Sequence, residues 1–418
     1  MRFERHGVRS SAPFLPPSLK FDGSRREGAK GVIVRPSRAA VALIVCLCVR
    51  ASTAAADEVT PDEPPSAPAL VRADPRWWER IDLHAYADVY YAYNFNRPTT
   101  GTSFIPGTGT TAKRANEFSL NLAAIDLGLK PEPVGFRLIV NYGSAADILH
   151  AGEPTGTGIG PEVWRFVQQA SISGRIPIGR GLLVEGGIMP CHAGFEVFAS
   201  KDNWNYTRSW MADLSPYYQA GVRASYAFTD RWSAQLHVLN GWQIIGENNE
   251  AKTLGTQIAW ATERVTISWN TLAGPELPND NAHWRLFSDV VVAVRPLEWL
   301  HLGAIWDIAH QQRPAASGAY WTGAAGYVRV IPRKWLAWAL RGEYFHDPDA
   351  GISGASQDLT EGTATIELRP HDNLILKLES RYDHSTGAVF TSRRLAADGT
   401  PLLVHDQGLV VLGAVVTM

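Results

Sequence analysis

From residue 81 onward the chain alternates apolar residues with polar or small ones, and the alternation is interrupted at intervals by clusters of Gly, Pro, Asn and Asp. In 81–95 one face carries Ile81, Leu83, Ala85, Ala87, Val89, Tyr91, Tyr93 and Phe95. The other carries Asp82, His84, Tyr86, Asp88, Tyr90, Ala92 and Asn94. The same period recurs in 134–142, in 218–228 and most cleanly in 374–383, where Leu374, Leu376, Leu378 and Tyr382 oppose Lys377, Glu379, Arg381 and Asp383. A period of two means β-strands with one apolar and one polar face. About sixteen such segments can be laid out, beginning near 81, 117, 134, 163, 181, 217, 232, 253, 265, 284, 299, 320, 336, 361, 374 and 408. The second changes phase around Ala123–Ala124, as a β-bulge would make it do. The fourth and tenth are irregular.

The connections alternate strictly between short and long. Short ones are 130–133, 174–180, 229–231, 261–264, 295–298, 332–334 and 370–373. Long ones are roughly 96–116, 144–162, 189–216, 241–252, 275–283, 310–319, 347–360 and 384–407. A soluble sandwich has no reason for this alternation. A transmembrane barrel has short periplasmic turns at one end and long outer loops at the other. With lipid outside and water inside, every backbone group is paired only if the sheet closes. The expected fold is therefore all-β, a transmembrane antiparallel up-and-down barrel of about sixteen strands over 80–418. Trp232, Trp299 and Trp335 start strands after short turns and Trp260 precedes one, which places an aromatic girdle at that membrane interface.

Composition agrees. The 418 residues are 45% hydrophobic and 19% charged, which excludes a disordered chain. Basic and acidic residues number 39 and 41, which argues against a nucleic-acid partner. The balance is split: residues 1–56 hold 10 basic and 3 acidic residues, leaving 39 − 10 = 29 basic and 41 − 3 = 38 acidic in the rest. Within the head, 39–49 (AAVALIVCLCV) is an uncharged run preceded by Arg35 and Arg38 and followed by Ala54-Ala55-Ala56, the pattern of a secretory signal peptide over 1–56. Its basic region is long enough to suggest an internal start near Val32 or Val34. Two of the three cysteines lie in the signal, so the exported chain keeps only Cys191 and forms no internal disulfide. Residues 57–79 are Pro- and acid-rich and read as a periplasmic lead-in.

Several segments resemble the outer-membrane β-barrel porins of the OmpL-like type: AYADVYYAYNFNRP (85–98), GFRLIVNYG (135–143), KDNWNYTRS (201–209), LNGWQIIGENNEAKTLG (239–255) and LAGPE (272–276). The loop segments are the more specific, because strand periodicity does not dictate them. The resemblance runs over nearly the whole exported chain and implies a porin in the bacterial outer membrane, with no defined substrate. One departure is the end, Val415-Val416-Thr417-Met418, where outer-membrane barrels usually carry an aromatic residue read by the assembly machinery.

A barrel of this size holds an aqueous channel. Candidate pore-lining cations are Arg137, Arg223, Arg341, Lys377 and Arg381; the anions include Asp82, Asp88, Glu185, Asp307, Glu343 and Glu379. Mixed rings of charge filter small hydrophilic solutes by size and field. The same charges can instead pair across neighbouring strands and merely solvate the wall. Lys377, Glu379 and Arg381 share a face with Arg341 available nearby, and a basic ladder there would favour anions modestly. The longest connection, 189–216, is rich in aromatics and is expected to fold inward, with Glu196, Lys201, Asp202 and Arg208 near the constriction; the alternative is an outward loop packed on its neighbours.

Signals for catalysis are weak. There is no GxSxG, HExxH or phosphate-binding Gly loop, and Cys191-His192 lacks a second ligand at useful spacing. Asn248-Asn249-Glu250 with Asp202 suggests surface calcium on composition alone. No catalytic residue, metal or cofactor is assigned. The expected function is passive diffusion of small hydrophilic solutes, with membrane lipid, the assembly machinery and a homo-trimer as partners. The alternatives are a barrel anchoring a surface receptor or adhesin and, more remotely, a barrel hydrolase.

Overall fold

The computed structural model describes residues 77–418 apart from 106 and 155–159. The signal peptide and most of the lead-in lie outside the described residues. A 3-10 turn, Trp77–Arg80, comes just before the first strand.

Sixteen strands form one closed antiparallel barrel. They are β1 (Ile81–Asn94), β2 (Phe118–Leu129), β3 (Val134–Tyr142), β4 (Val167–Ile176), β5 (Leu182–Pro190), β6 (Tyr218–Ala227), β7 (Trp232–Leu239) and β8 (Thr253–Ala261). Then come β9 (Val265–Pro275), β10 (Trp284–Leu297), β11 (Leu300–Gln311), β12 (Ala319–Arg333), β13 (Leu336–Asp347), β14 (Gln357–His371), β15 (Leu374–Ser385) and β18 (Asp406–Thr417). A small hairpin, β16 (Phe390–Leu395) and β17 (Pro401–Val404), stands apart in the last long connection. Each barrel strand pairs with its sequence neighbours, and β18 closes the ring by pairing with β15 and β1, Ala87 facing Val416.

Alternation decides which face meets lipid. Ile172, Val222, Leu236 and Leu340 are more than half exposed, while the neighbouring Ser171, Arg223, Gln235, His237 and Arg341 point inward and are buried. An apolar outer surface of this extent is stable only in hydrocarbon. Trp232 and Trp260 face each other across β7 and β8 at the short-turn end, and Trp299 and Trp335 are exposed at the same end. The short and long connections alternate as expected from the sequence.

Three local differences have physical reasons. The bulge falls at Asn121, not at Ala123–Ala124: Asp88 pairs with Leu122 and Val89 with Leu120. The extra residue re-aims its side chain inward, where the Asn121 amide donates to Asp88 at 2.7 Å. β4 begins at Val167 rather than near 163, because Pro161 opens a helical turn, α1 (Pro161–Trp164). β14 begins at Gln357, four residues earlier than its alternation suggested.

Candidate functional site: the barrel interior

The inward faces of β13, β14 and β15 carry a dense row of charge: Arg341, Glu343, Glu361, Glu367, Lys377, Glu379, Arg381 and Asp383, all buried. Part of that burial comes from pairing across strands. Arg341 binds Glu361 at 2.9 Å and Arg329 of β12 binds Glu367 at 2.7 Å. The rest comes from the connection 191–217, which folds into the barrel rather than out over its rim.

The loop and the row meet largely through the loop's backbone. The Glu379 carboxylate accepts the Tyr206 and Thr207 amides at 2.5 and 2.9 Å and the Thr207 hydroxyl at 2.5 Å. Glu343 accepts the Trp210 and Met211 amides at 2.7 and 2.6 Å, at the start of the short helix α2 (Trp210–Asp213). The Lys377 ammonium donates to the carbonyls of Ser200, Asn203 and Asn205 at 2.8, 2.6 and 3.4 Å. Arg341 donates to the Thr207 carbonyl at 2.7 Å and pairs with Glu196 at 2.8 Å. Wall acids hold the loop's N–H groups and wall bases hold its carbonyls, so polar groups that would be orphaned inside the barrel are satisfied.

Side chains complete the fit. Trp210 is fully buried, and its indole donates to Asp383 at 2.8 Å. The Tyr206 hydroxyl donates to Asp88 of β1 at 2.7 Å. Tyr206 and Phe195 lie where the wall has no side chain. A Cβ on Gly413 of β18 would sit 2.4 Å from the Tyr206 ring, and one on Gly303 of β11 would sit 2.4 Å from the Phe195 ring. These glycines allow close approach, the usual reason for glycine within a strand.

The connection 95–117 also enters the interior. Asp213 accepts the Gly109 amide at 3.0 Å and the Thr110 hydroxyl at 2.6 Å. Arg208 donates to Thr110 at 2.9 Å and also binds Thr111. Phe104 meets Trp210 edge-on at 6.0 Å between ring centres. Lys113, held by the Ile105 and Thr108 carbonyls at 3.1 and 2.6 Å, has its pKa lowered to about 8 by burial. Phe104, Ile105, Tyr206, Trp210, Met211 and Leu214 join wall residues such as Phe287, Ile305, Trp321 and Phe345 in one apolar cluster inside the barrel.

All six pore-lining candidates face inward. Arg341, Lys377, Glu379 and Arg381 are enclosed by the loop, and Arg223 pairs with Glu185 across β5 and β6 at 2.6 Å. Arg137 pairs with Asp126 of β2 at 2.7 Å and keeps contact with water. Of the four loop candidates, Glu196 and Arg208 are packed into the wall and the second loop. Lys201 and Asp202 pair with each other at 2.7 Å and stay part-exposed. The residues suggested for calcium serve other partners: Asp202 holds Lys201, and the Asn249 amide donates to the Pro275 and Leu277 carbonyls. Among the described residues no three His, Cys, Asp or Glu side chains gather as metal ligands.

The family described as "Putative beta-barrel porin-2, OmpL-like" matches residues 80–418. The chain belongs to this family. No curated protein matches this OmpL-like porin. Solved structures share its fold. The anion-selective porin from Comamonas acidovorans aligns with a TM-score of 0.54 at 7% identity, over 81% of this chain and 99% of that one. The trimer form of OmpT, an outer membrane protein of Vibrio cholerae, gives 0.52 at 8% identity, over 81% and 99%. Salmonella typhi OmpF in complex with daunomycin gives 0.51 at 10%, over 81% and 97%. The porin is a bacterial outer-membrane protein.

The sequence reading of the porin missed Gly303, Gly413 and Asp213. Glycines at inward positions of otherwise regular strands were the available signal for the first two. Replacing Gly413 by Val is expected to expel the Tyr206 ring and free the loop, seen as faster protease cleavage within 191–217 while the barrel keeps its heat-modifiable gel mobility. Cleavage at the unsubstituted rate would show that Tyr206 is not held there.

The Cys191-His192 pair is structural in this porin. Burial pushes the Cys191 thiol up to about 12, far from a reactive thiolate. His192 stacks on His237 with ring centres 4.0 Å apart and contacts the Thr271 carbonyl at 3.2 Å. Burial lowers its pKa from 6.5 to about 4. A buried base with a depressed pKa stabilises the docked loop fully above pH 6.5 and loses that contribution as the pH falls towards 4, because the released state takes up the proton first. The loss is on the order of 3 kcal/mol if His192 becomes fully hydrated on release. Protease sensitivity of 191–217 is therefore expected to rise between pH 6.5 and 4, and His192→Gln to flatten that rise; an equally steep rise in the variant would exclude His192 as its source.

Proposed function

We propose that this porin forms a water-filled channel for passive diffusion of small hydrophilic solutes, narrowed by the connection 191–217, and that it catalyses no reaction. The observation that carries this is the pairing of a closed sixteen-strand barrel with a charged interior in which one long loop is bonded to the wall. A sheet closed at this strand number encloses more space than its own side chains fill, and an inner loop bonded to one side of the wall narrows that space. Lys201 and Asp202 are the constriction residues on this reading, and Glu196 holds the loop to the wall through Arg341. In the membrane the short turns face the periplasm, from which the assembly machinery receives the chain. A homo-trimer is the proposed assembly, supported by the trimer form in which the similarly folded Vibrio cholerae protein was solved.

The test is reconstitution of the refolded 57–418 chain in a planar bilayer. Discrete ohmic openings support the channel. A barrel that is folded by gel mobility yet stays electrically silent rejects it and favours a plugged receptor or surface anchor. Gel mobility of unheated protein at about three times the monomer mass supports the trimer, and a monomer band alone rejects it.

A further inference from the structure

The loop does not fill the interior evenly. It is bonded to the β13–β15 side and, across the seam, to Asp88 of β1 through the Ser200 and Tyr206 hydroxyls, and there the wall charges have lost water: none of the Arg341 side chain and 1% of Lys377 remain exposed. On the β2–β3 side the exposure is different in kind. There 41% of Arg137 and 17% of Asp126 are exposed, as are 26% of Lys201 and 33% of Asp202 on the loop. The loop pair stands over the wall next to the strand pair. The Lys201 ammonium lies 5.3 Å from the centre of the Tyr86 ring. Tyr86 points inward on β1 beside Ala124, two residues from Asp126 on the same face of β2.

Resting on the channel function proposed above, we infer that solutes cross along the β2–β3 wall, between the Asp126–Arg137 pair and the Lys201–Asp202 pair. These four side chains, and not the Arg341–Lys377–Arg381 row, set the charge preference. Two cations and two anions line the passage, and by strand parity the exposed Asp82 of β1 and Arg175 of β4 face inward nearer the short turns, so the net charge stays zero and the field along it is weak for a simple ion. The solutes it suits are small, polar and uncharged or zwitterionic, since such molecules meet an acid and a base on each side. The buried row serves a separate purpose, fixing the loop that forms the other bank of the passage. A charge surrounded by backbone partners on the far side of that loop is shielded from the passage by the loop itself.

The experiment uses single cysteines in a Cys191→Ala background, with Arg137→Cys, Asp202→Cys and Lys377→Cys each reconstituted in planar bilayers under a KCl gradient. The unsubstituted channel is expected to reverse near zero. Arg137→Cys should shift towards cations and Asp202→Cys towards anions. An anionic thiosulfonate reagent added to open channels should move the reversal potential of Arg137→Cys further towards cations and that of Asp202→Cys back towards the unsubstituted value within minutes, and leave Lys377→Cys unchanged. Fast modification at 377 with none at 137 or 202 overturns the assignment while leaving the channel intact. If Lys377→Cys does not fold, Arg381→Cys replaces it under the same criteria. A folded but silent unsubstituted barrel overturns the channel and the passage together.

Discussion

Deleting residues 197–208 is expected to raise single-channel conductance several-fold and to enlarge the size limit for neutral polymers. The segment holds Ser200, Asn203, Asn205, Tyr206, Thr207 and Arg208, whose backbone and side chains bridge the interior from Asp88 on β1 to Glu379 on β15. Removing it does not strand charges in a dry core. Lys377, Glu379 and Arg341 would face water in a wider lumen, so their desolvation cost disappears together with their partners. The barrel's backbone ladder does not involve the segment, and the ring should survive. Conductance and polymer cutoff both unchanged would mean that the loop is not the narrowest point of the path.

The second large effect is expected at Glu379. Its carboxylate accepts the Tyr206 and Thr207 amides, the Thr207 hydroxyl and, at 2.7 Å, the Thr365 hydroxyl. Glu379→Leu leaves two buried N–H groups without an acceptor, at about 1–3 kcal/mol each. The loop-docked state should lose on the order of 4 kcal/mol relative to a released loop. Glu379→Gln keeps one oxygen acceptor and should lose about a third of that, so the two variants separate charge from acceptor geometry. Tryptophan fluorescence reports the release, because Trp204 and Trp210 lie inside the barrel, and protease cleavage within 191–217 reports it independently. Equal docking in Glu379→Leu and the unsubstituted chain would show that the loop is held without this carboxylate.

The barrel was legible because alternation and connection length are properties of single positions and short stretches. Strand parity put Arg137, Arg223, Arg341, Lys377, Glu379 and Arg381 on the inward face, where they lie. Parity cannot say what shares the lumen with them. Lys377 binds three carbonyls and Glu379 two amides of the loop, and every residue carries those groups, so such partners leave no mark in a sequence. The small hairpin β16–β17 did leave one: Asp398-Gly399 is a turn dipeptide, with Gly399 at φ 84°, but it was absorbed into the connection 384–407. In the sequence the connection 96–116 shows only its length, and its run Gly107-Thr108-Gly109-Thr110 is what brings its backbone to Asp213.

Tyr206 touches both edges of the seam where the ring is joined. Its hydroxyl bonds Asp88 on the first strand, 118 residues away in the chain, and its ring occupies the space that Gly413 leaves on the last. Neither partner is in place until β1 and β18 have met, so docking of the loop and joining of the ends belong to one late event of assembly. Contacts of such long sequence separation form slowly, because the intervening chain must be ordered first. The same tyrosine then acts as a latch across the join, and a barrel whose seam opens must release its gate as well.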